Sequence, residues 1–176
     1  MIFMSQSGLT DLGRKAEWDR WYEEHLRIMV TVPGIHSAQR FETNHPDWPP
    51  SLAMYTVASA AVFEDRYYQQ VRGMGGWLPL IDKRFYRRTL FDGLQQAPLV
   101  KKAAVLVVTD QEQHRGVLQG LRFLWPDAVG LDQATPCRGI AVVACDSAQS
   151  LVGRRDVAVY QPSTPQYTAQ AKRQCQ

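Results

Sequence analysis

The hydrophobic pattern changes period several times along the first 92 residues. With residues 10–34 turned at about 100° each and His25 at zero, Trp18, Trp21, Tyr22, Ile28, Met29 and Val32 fall within about 60° on either side. Glu17, Arg20, Glu23, Glu24 and Arg27 lie outside that arc. The spacing predicts an amphipathic helix, capped by Thr10 or Asp11 and ended by Pro33-Gly34, that buries an aromatic stripe with a histidine at its middle. Residues 2–6 before it read as a short strand, and residues 35–43 and 52–59 after it as two more, joined by a Pro-rich turn at 44–50. Residues 60–72 offer Val62, Phe63, Tyr67 and Val71 for burial on a shorter helix, which Gly73-Met74-Gly75-Gly76 stops. A strand at 83–91 completes the order βαββαβ.

The second half repeats that order in compressed form. Residues 102–109 are a strongly apolar strand. Residues 111–125 carry Val117, Leu118, Leu121 and Leu124 at helical spacing, and Pro126 breaks that run. Strands are expected at 129–134, 139–145 and 156–161, with a short helical turn near 147–152. The fold class is therefore α+β, with two tandem ferredoxin-like repeats. Residues 1–95 form the first half and carry the candidate site, 100–162 form a compressed second half, and 163–176 form a flexible polar tail. A βαββαβ sheet carries both helices on one face, so its other face needs a cover. Two such sheets packed face to face make an α+β barrel. Closure comes either within one chain or in a homodimer, and either way polar and aromatic residues are expected around one interior cavity.

Composition narrows the function classes. Apolar residues make up 45 % and charged residues 21 %, the balance of a globular protein, and the net charge is only +3. The basic groups at Lys83–Arg84, Arg87–Arg88, Lys101–Lys102 and Arg154–Arg155 fall short of a block of five or six like charges, so nucleic acid is not an expected partner. No apolar run approaches the roughly 20 residues that span a bilayer, so no membrane partner is expected either. Cys137, Cys145 and Cys175 are too widely spaced for a zinc knuckle or a redox pair, which suits a reducing, cytoplasmic setting.

Residues 17–41, EWDRWYEEHLRIMVTVPGIHSAQRF, resemble the dimeric α+β barrel superfamily, in particular its EthD-like branch. Trp21, Tyr22, Glu24 and His25 match the W-Y-x-E-H of that branch; Val32-Pro33-Gly34 matches its V-P-G turn, and Ser37, Ala38 and Arg40 its S-A-x-R strand. Arg27 stands where the family often has a proline shortly after the histidine. The match covers the first 92 or so residues and little of the rest. It implies the ferredoxin-like barrel fold, and it leaves function open because this fold hosts many chemistries.

Candidate chemistry centres on His25. Its ordinary pKa of about 6.5 suits proton transfer near neutrality, and Tyr22, one turn earlier, can orient the imidazole or donate to a substrate oxygen. From position alone His25 could equally be a core histidine bonded to a backbone carbonyl; the resemblance favours a functional role. On a strand, His36, Ala38 and Arg40 share one face. If that face lines the barrel interior, His36 and Arg40 bind substrate, Arg40 being suited to a carboxylate or enolate. Trp18 and Trp77 are candidate walls, and the glycines at 73–76 a lid. No metal is expected, because the four histidines show no H-x-H or H-x-x-x-H pair. No cofactor is expected, because neither a G-x-G-x-x-G nor a Walker pattern occurs. The reading is a cofactor-independent lyase or isomerase acting on a small oxygenated cyclic or aromatic molecule. The alternatives are a cofactor-free monooxygenase and a non-catalytic ligand-binding protein.

Overall fold

The computed structural model describes residues 1–115 and 118–169. Its elements run β1 (Ile2–Ser7), α1 (Lys15–Met29), β2 (Ile35–Glu42), β3 (Ser51–Val57), α2 (Arg66–Val71), β4 (Arg87–Asp92), β5 (Ala104–Thr109), β6 (Asp127–Leu131), β7 (Gly139–Ala144), β8 (Ala158–Pro162) and β9 (Tyr167–Thr168). The first six give the expected βαββαβ, and α1 falls where the aromatic stripe predicts it. Asp11 accepts from the Gly13 amide at 2.9 Å and caps the turn leading into α1. Gly34 ends the segment with φ +86°, where a Cβ would stand 2.6 Å from a Val62 methyl, so only glycine fits. The second helix is shorter than its pattern suggests. The side chain of Asp65 accepts from the amides of Tyr67 and Tyr68, and this cap splits the run into a 3₁₀ turn at Ala60–Glu64 and α2.

The strands pair antiparallel in the order β6-β4-β1-β3-β2-β8-β5-β7, with β9 added to β2. The two ends of that path then meet. The Ala128 amide donates to the Pro136 carbonyl at 2.8 Å, Arg138 to Pro126 at 3.1 Å, and Leu124 and Ile140 exchange bonds at 2.9 Å. These bonds join the approach to β6 with the approach to β7 and close eight strands into a barrel within one chain. Residues from alternate positions of both halves fill it: Ile2 and Met4 from β1, Phe41 from β2, Leu52 and Met54 from β3, Phe91 from β4, Leu106 and Val108 from β5, and Tyr160 from β8. The interior cavity expected from the sequence is therefore replaced by a packed core, because eight strands enclose little more space than their own side chains occupy. A second core lies between the helices and the outer face of β1–β4, and a third covers the outer face of β5, β7 and β8.

The second half departs from its predicted elements. The helical spacing at 111–125 produces no α-helix among the described residues; Val117 lies outside them. A 3₁₀ turn at Glu112–Arg115 is followed by a tight turn with Gln119 and Gly120 at φ 49° and 81°, and then by a segment that leads into β6 and makes single bridges, Leu124 to Ile140 and Asp127 to Cys137, across the seam. Leu118 and Phe123 are buried on the barrel wall. The segment is spent on closing the ring, and tertiary pairing overrides its local pattern. The polar tail divides as well. Tyr167–Thr168 pairs with β2, and the Tyr167 hydroxyl donates to Glu23 of α1 at 2.7 Å, so residues up to 169 are tied down. Residues 170–176, which include Cys175, lie outside the described residues.

The seam offers a test. A Cβ on Gly139 would meet the Thr109 methyl and the Trp125 ring at 2.8 Å, whereas one on Gly130 of β6 meets only Leu90 at 3.5 Å. Gly139→Ala is expected to lower stability by about 1–3 kcal/mol in urea unfolding, and Gly130→Ala to change it by about 0.5 kcal/mol or less.

Candidate functional site

Strand alternation sends Phe3, Ser5 and Ser7 of β1 away from the barrel interior and towards the helices. Across the ladders Ser5 stands opposite Arg88 on β4, and Phe3 opposite Tyr55 on β3. Phe3, Ser5, Tyr55 and Arg88 are thus the floor of a cavity whose roof is Tyr22, His25 and Met29 of α1, Tyr68 of α2, and Met74 from the glycine-rich segment, with Tyr86 completing the wall. The aromatic stripe of α1 fixes the histidine. The His25 ring stacks on Trp21, with centroids 4.8 Å and planes 11° apart, and meets the Tyr22 ring edge-on at 6.1 Å. Trp21 stacks in turn on Trp18 at 5.0 Å, and Trp77 closes against Trp18 at 5.4 Å.

Burial depresses the His25 pKa to about 4, so the imidazole is neutral at pH 7. No group of the described residues hydrogen-bonds to its ring, so it is not the carbonyl-bonded core histidine that its position alone allowed. Burial raises the pKa of Tyr22 and Tyr68 and pushes that of Tyr55 well above the usual phenol range. At neutral pH all three are therefore protonated donors. The Arg88 side chain reaches Asp132 at 3.7 Å through one terminal nitrogen, while its Nε, like the Ser7 hydroxyl, is buried with no hydrogen-bond partner among the described residues. A neutral base, several phenol donors and an unsatisfied guanidinium N–H thus share one cavity. That combination can take a proton from a bound molecule and hold the oxyanion left behind. The cavity measures about 30 Å³. A cavity of about 150 Å³ holds a benzene ring, so one of this size is too small for such a ligand. Met74, 5 % exposed, lines it between Gly73 and Gly75, which have φ of 89° and 49° and no other atom within 4 Å of where a Cβ would stand.

The structure separates the other residues expected at the site. Arg40 faces the helices and not the barrel interior, and its side chain is 2 % exposed. Its Nε donates to Ser51 at 2.9 Å, and its terminal nitrogens pair with Asp19 at 2.8 Å and Glu42 at 2.9 Å. Its guanidinium lies 4.5 Å over the Tyr22 ring, so it braces the site from behind without lining the cavity. His36 sits at the bulge that opens β2, exposed, in a separate polar cleft at one end of the barrel. Trp18 and Trp77 are buried packing partners one layer behind His25. Ser5, Tyr55, Tyr68 and Tyr86 are not among the residues the sequence singles out; Met74 lies in the glycine segment expected as a lid, and Arg88 in a basic pair whose inward member the sequence does not reveal. The one available signal was the alternation Phe3-x-Ser5-x-Ser7, which puts hydroxyls on the buried, helix-facing side of an otherwise apolar strand.

No family model matches the sequence, and no curated protein matches it significantly. Solved structures do resemble the fold. An anthrone oxidase-like protein superposes with a TM-score of 0.60 at 12 % identity, covering 97 % of this chain and 94 % of its own. A candidate monooxygenase from Fusobacterium nucleatum gives 0.51 at 9 % identity, covering 96 % and 94 %. A candidate chlorite dismutase gives 0.52 at 7 % identity, covering 93 % and 94 %. These likenesses establish the ferredoxin-like α+β barrel fold that the W-Y-x-E-H stretch implied. Among the described residues no helix is long and apolar enough to cross a membrane, and no three His, Cys, Asp or Glu side chains are gathered as a metal would need.

The depressed His25 pKa has a consequence for stability. The unfolded chain takes up a proton near the ordinary 6.5, the folded chain only near 4. His25 therefore costs the fold nothing above pH 6.5, and stability is lost as pH falls from there towards 4. The loss amounts to at most on the order of 3 kcal/mol. Urea unfolding of His25→Phe across this window is expected to show a shallower fall than wild type. Parallel slopes would mean that the imidazole titrates normally.

Proposed function

We propose that the protein is a cofactor-independent enzyme that moves a proton on a small, oxygenated cyclic or aromatic molecule, with His25 as general base and acid. The observation that carries this reading is that His25, half-buried and with no hydrogen bond to its ring among the described residues, and Arg88, whose Nε has no partner among them, line one cavity. A base with a pKa of about 4 is weak in the empty site. It strengthens when substrate is bound, because imidazolium and a new enolate or phenolate attract each other strongly away from water. Arg88 and the phenols of Tyr22 and Tyr55 receive the oxyanion, the role that Arg40 cannot take because Asp19, Glu42 and Ser51 already hold it. Substrate enters when residues 73–76 swing Met74 out of the cavity, with the flanking glycines as hinges.

Returning the proton to another atom gives isomerisation, cyclisation or loss of water or carbon dioxide, which makes the protein a lyase or isomerase. A second reading keeps the same first step and lets the substrate carbanion react with oxygen. The tryptophan layer behind His25 favours it, as do the two structural neighbours that are anthrone oxidase-like and a candidate monooxygenase.

The test is product analysis with hydroxylated aromatics, anthrones, lactones and keto acids, in air and under argon. His25→Gln is expected to lower kcat by about 10²–10⁴-fold. Arg88→Gln should lower it by about 10²-fold. Turnover that persists under argon supports the lyase or isomerase; turnover only in air, with oxygen consumed, supports the monooxygenase. Undiminished turnover in His25→Gln would contradict both.

A further inference from the structure

Arg87 and Arg88 are neighbours on β4, so they point to opposite faces of the sheet. Arg88 enters the cavity under the helices. Arg87, paired in register with the inward-facing Gln6, points into one open end of the barrel. That mouth gathers the ends of β1, β2, β5 and β6 and the starts of β3, β4, β7 and β8. It holds a cleft of about 380 Å³, within the usual range of small-molecule sites.

We propose that this mouth is a second binding site, for a small organic anion that presents a carboxylate or phosphate group. The polar floor is built and buried. Arg138 is 3 % exposed, holds Asp110 through two bonds of 2.7 and 2.9 Å, and donates to the Gln6 side-chain oxygen at 2.9 Å. The amide nitrogen of Gln6, also 3 % exposed, lies near the Tyr160 hydroxyl and has no hydrogen-bond partner among the described residues. Asp110 cancels the charge of Arg138, but Arg87 has no such neighbour. It is half-buried, spends one terminal nitrogen on the carbonyls of Lys83 and Tyr86, and forms no ion pair among the described residues. Arg155 adds a cation at the rim, where Asp47, which lines the same cleft, pairs with it loosely at 4.0 Å; with Arg84 and Arg138 the four arginines still outnumber the two carboxylates, Asp47 and Asp110, that line the cleft. A half-buried cation without a counter-charge attracts an anion more strongly than a fully solvated one does.

The walls say what kind of anion. Trp48, 9 % exposed and packed on the barrel core, donates its indole N–H to the Arg155 carbonyl at 3.3 Å and gives the cleft a small fixed aromatic edge beside the cations, so an organic body gains over an inorganic ion. Below the floor the barrel is packed with Met4, Phe91 and Tyr160, and the ligand stops at the mouth.

The probes are benzoate, phenyl phosphate and inorganic phosphate, followed by NMR on the indole N–H of Trp48, assigned with Trp48→Phe. Benzoate or phenyl phosphate is expected to shift that signal saturably at millimolar concentration, and the tighter of the two identifies the headgroup. Arg87→Gln should weaken binding by about tenfold or more. Arg155→Gln should weaken it by a few-fold, and its side chain is 93 % exposed, so it decides the matter if Arg87→Gln does not fold. Arg88→Gln, on the opposite face, should leave binding unchanged. The proposal fails if neither organic probe shifts Trp48, if inorganic phosphate binds as well as phenyl phosphate, if a folded Arg87→Gln or Arg155→Gln binds like wild type, or if Arg88→Gln abolishes the effect.

Discussion

The closure of eight short strands into one ring constrains everything else in this molecule. A ring of that size has room for its own inward side chains and little more. Once Phe41, Phe91 and Tyr160 occupy it, no ligand can lie at its centre. Concave space can then exist only under the helices, on the outer face of the sheet, or at the two open mouths. The period-2 alternation of each strand distributes chemistry between these places. Gln6 and Arg87 go to a mouth, while Ser5 and Arg88, paired beside them, go to the helix side. A shift of one residue in β4 would exchange the two arginines and dismantle both arrangements.

The ring fixes the floor of the helix-side cavity, and α1 must be held in register above it. Two features do this. The tryptophan and tyrosine stripe packs the helix onto the sheet, with Tyr22 and Trp18 fully enclosed. The buried guanidinium of Arg40 then ties β2 to the first turns of α1 through Asp19, and Lys15 reaches Asp19 and Glu42 from the helix side. A buried cation is tolerable only when every partner is present, so this network works as a latch with a single fitting position. His25 inherits its place from that latch and its lowered basicity from the surrounding aromatics.

Much of this was legible in the chain. The 3.6 period of α1 located the helix, its buried face and the histidine on it, and the W-Y-x-E-H and V-P-G stretches pointed to the barrel fold. The face of β2 could not be read, since alternation says which residues travel together but not which way they point. Arg40 therefore turned out to serve the helix side, and its donors were already taken by Asp19, Glu42 and Ser51. The second half was misread because Leu118, Leu121 and Leu124 mimic a helical stripe, although the segment is needed as the strand that seals the ring. Arg88, Tyr55 and Tyr68 reach His25 through three different elements, and only tertiary pairing brings them together.

In the proposed reaction His25 is a neutral, partly buried base beside which an anion forms. An NMR titration of its imidazole tests this most directly, first in the free protein and then with a bound phenolate or enolate analogue. The expected midpoint is near 4 in the free protein, rising by at least about one unit when the anion is bound. A midpoint near the ordinary 6.5, unmoved by any such ligand, would contradict it and leave His25 as part of the packing of α1.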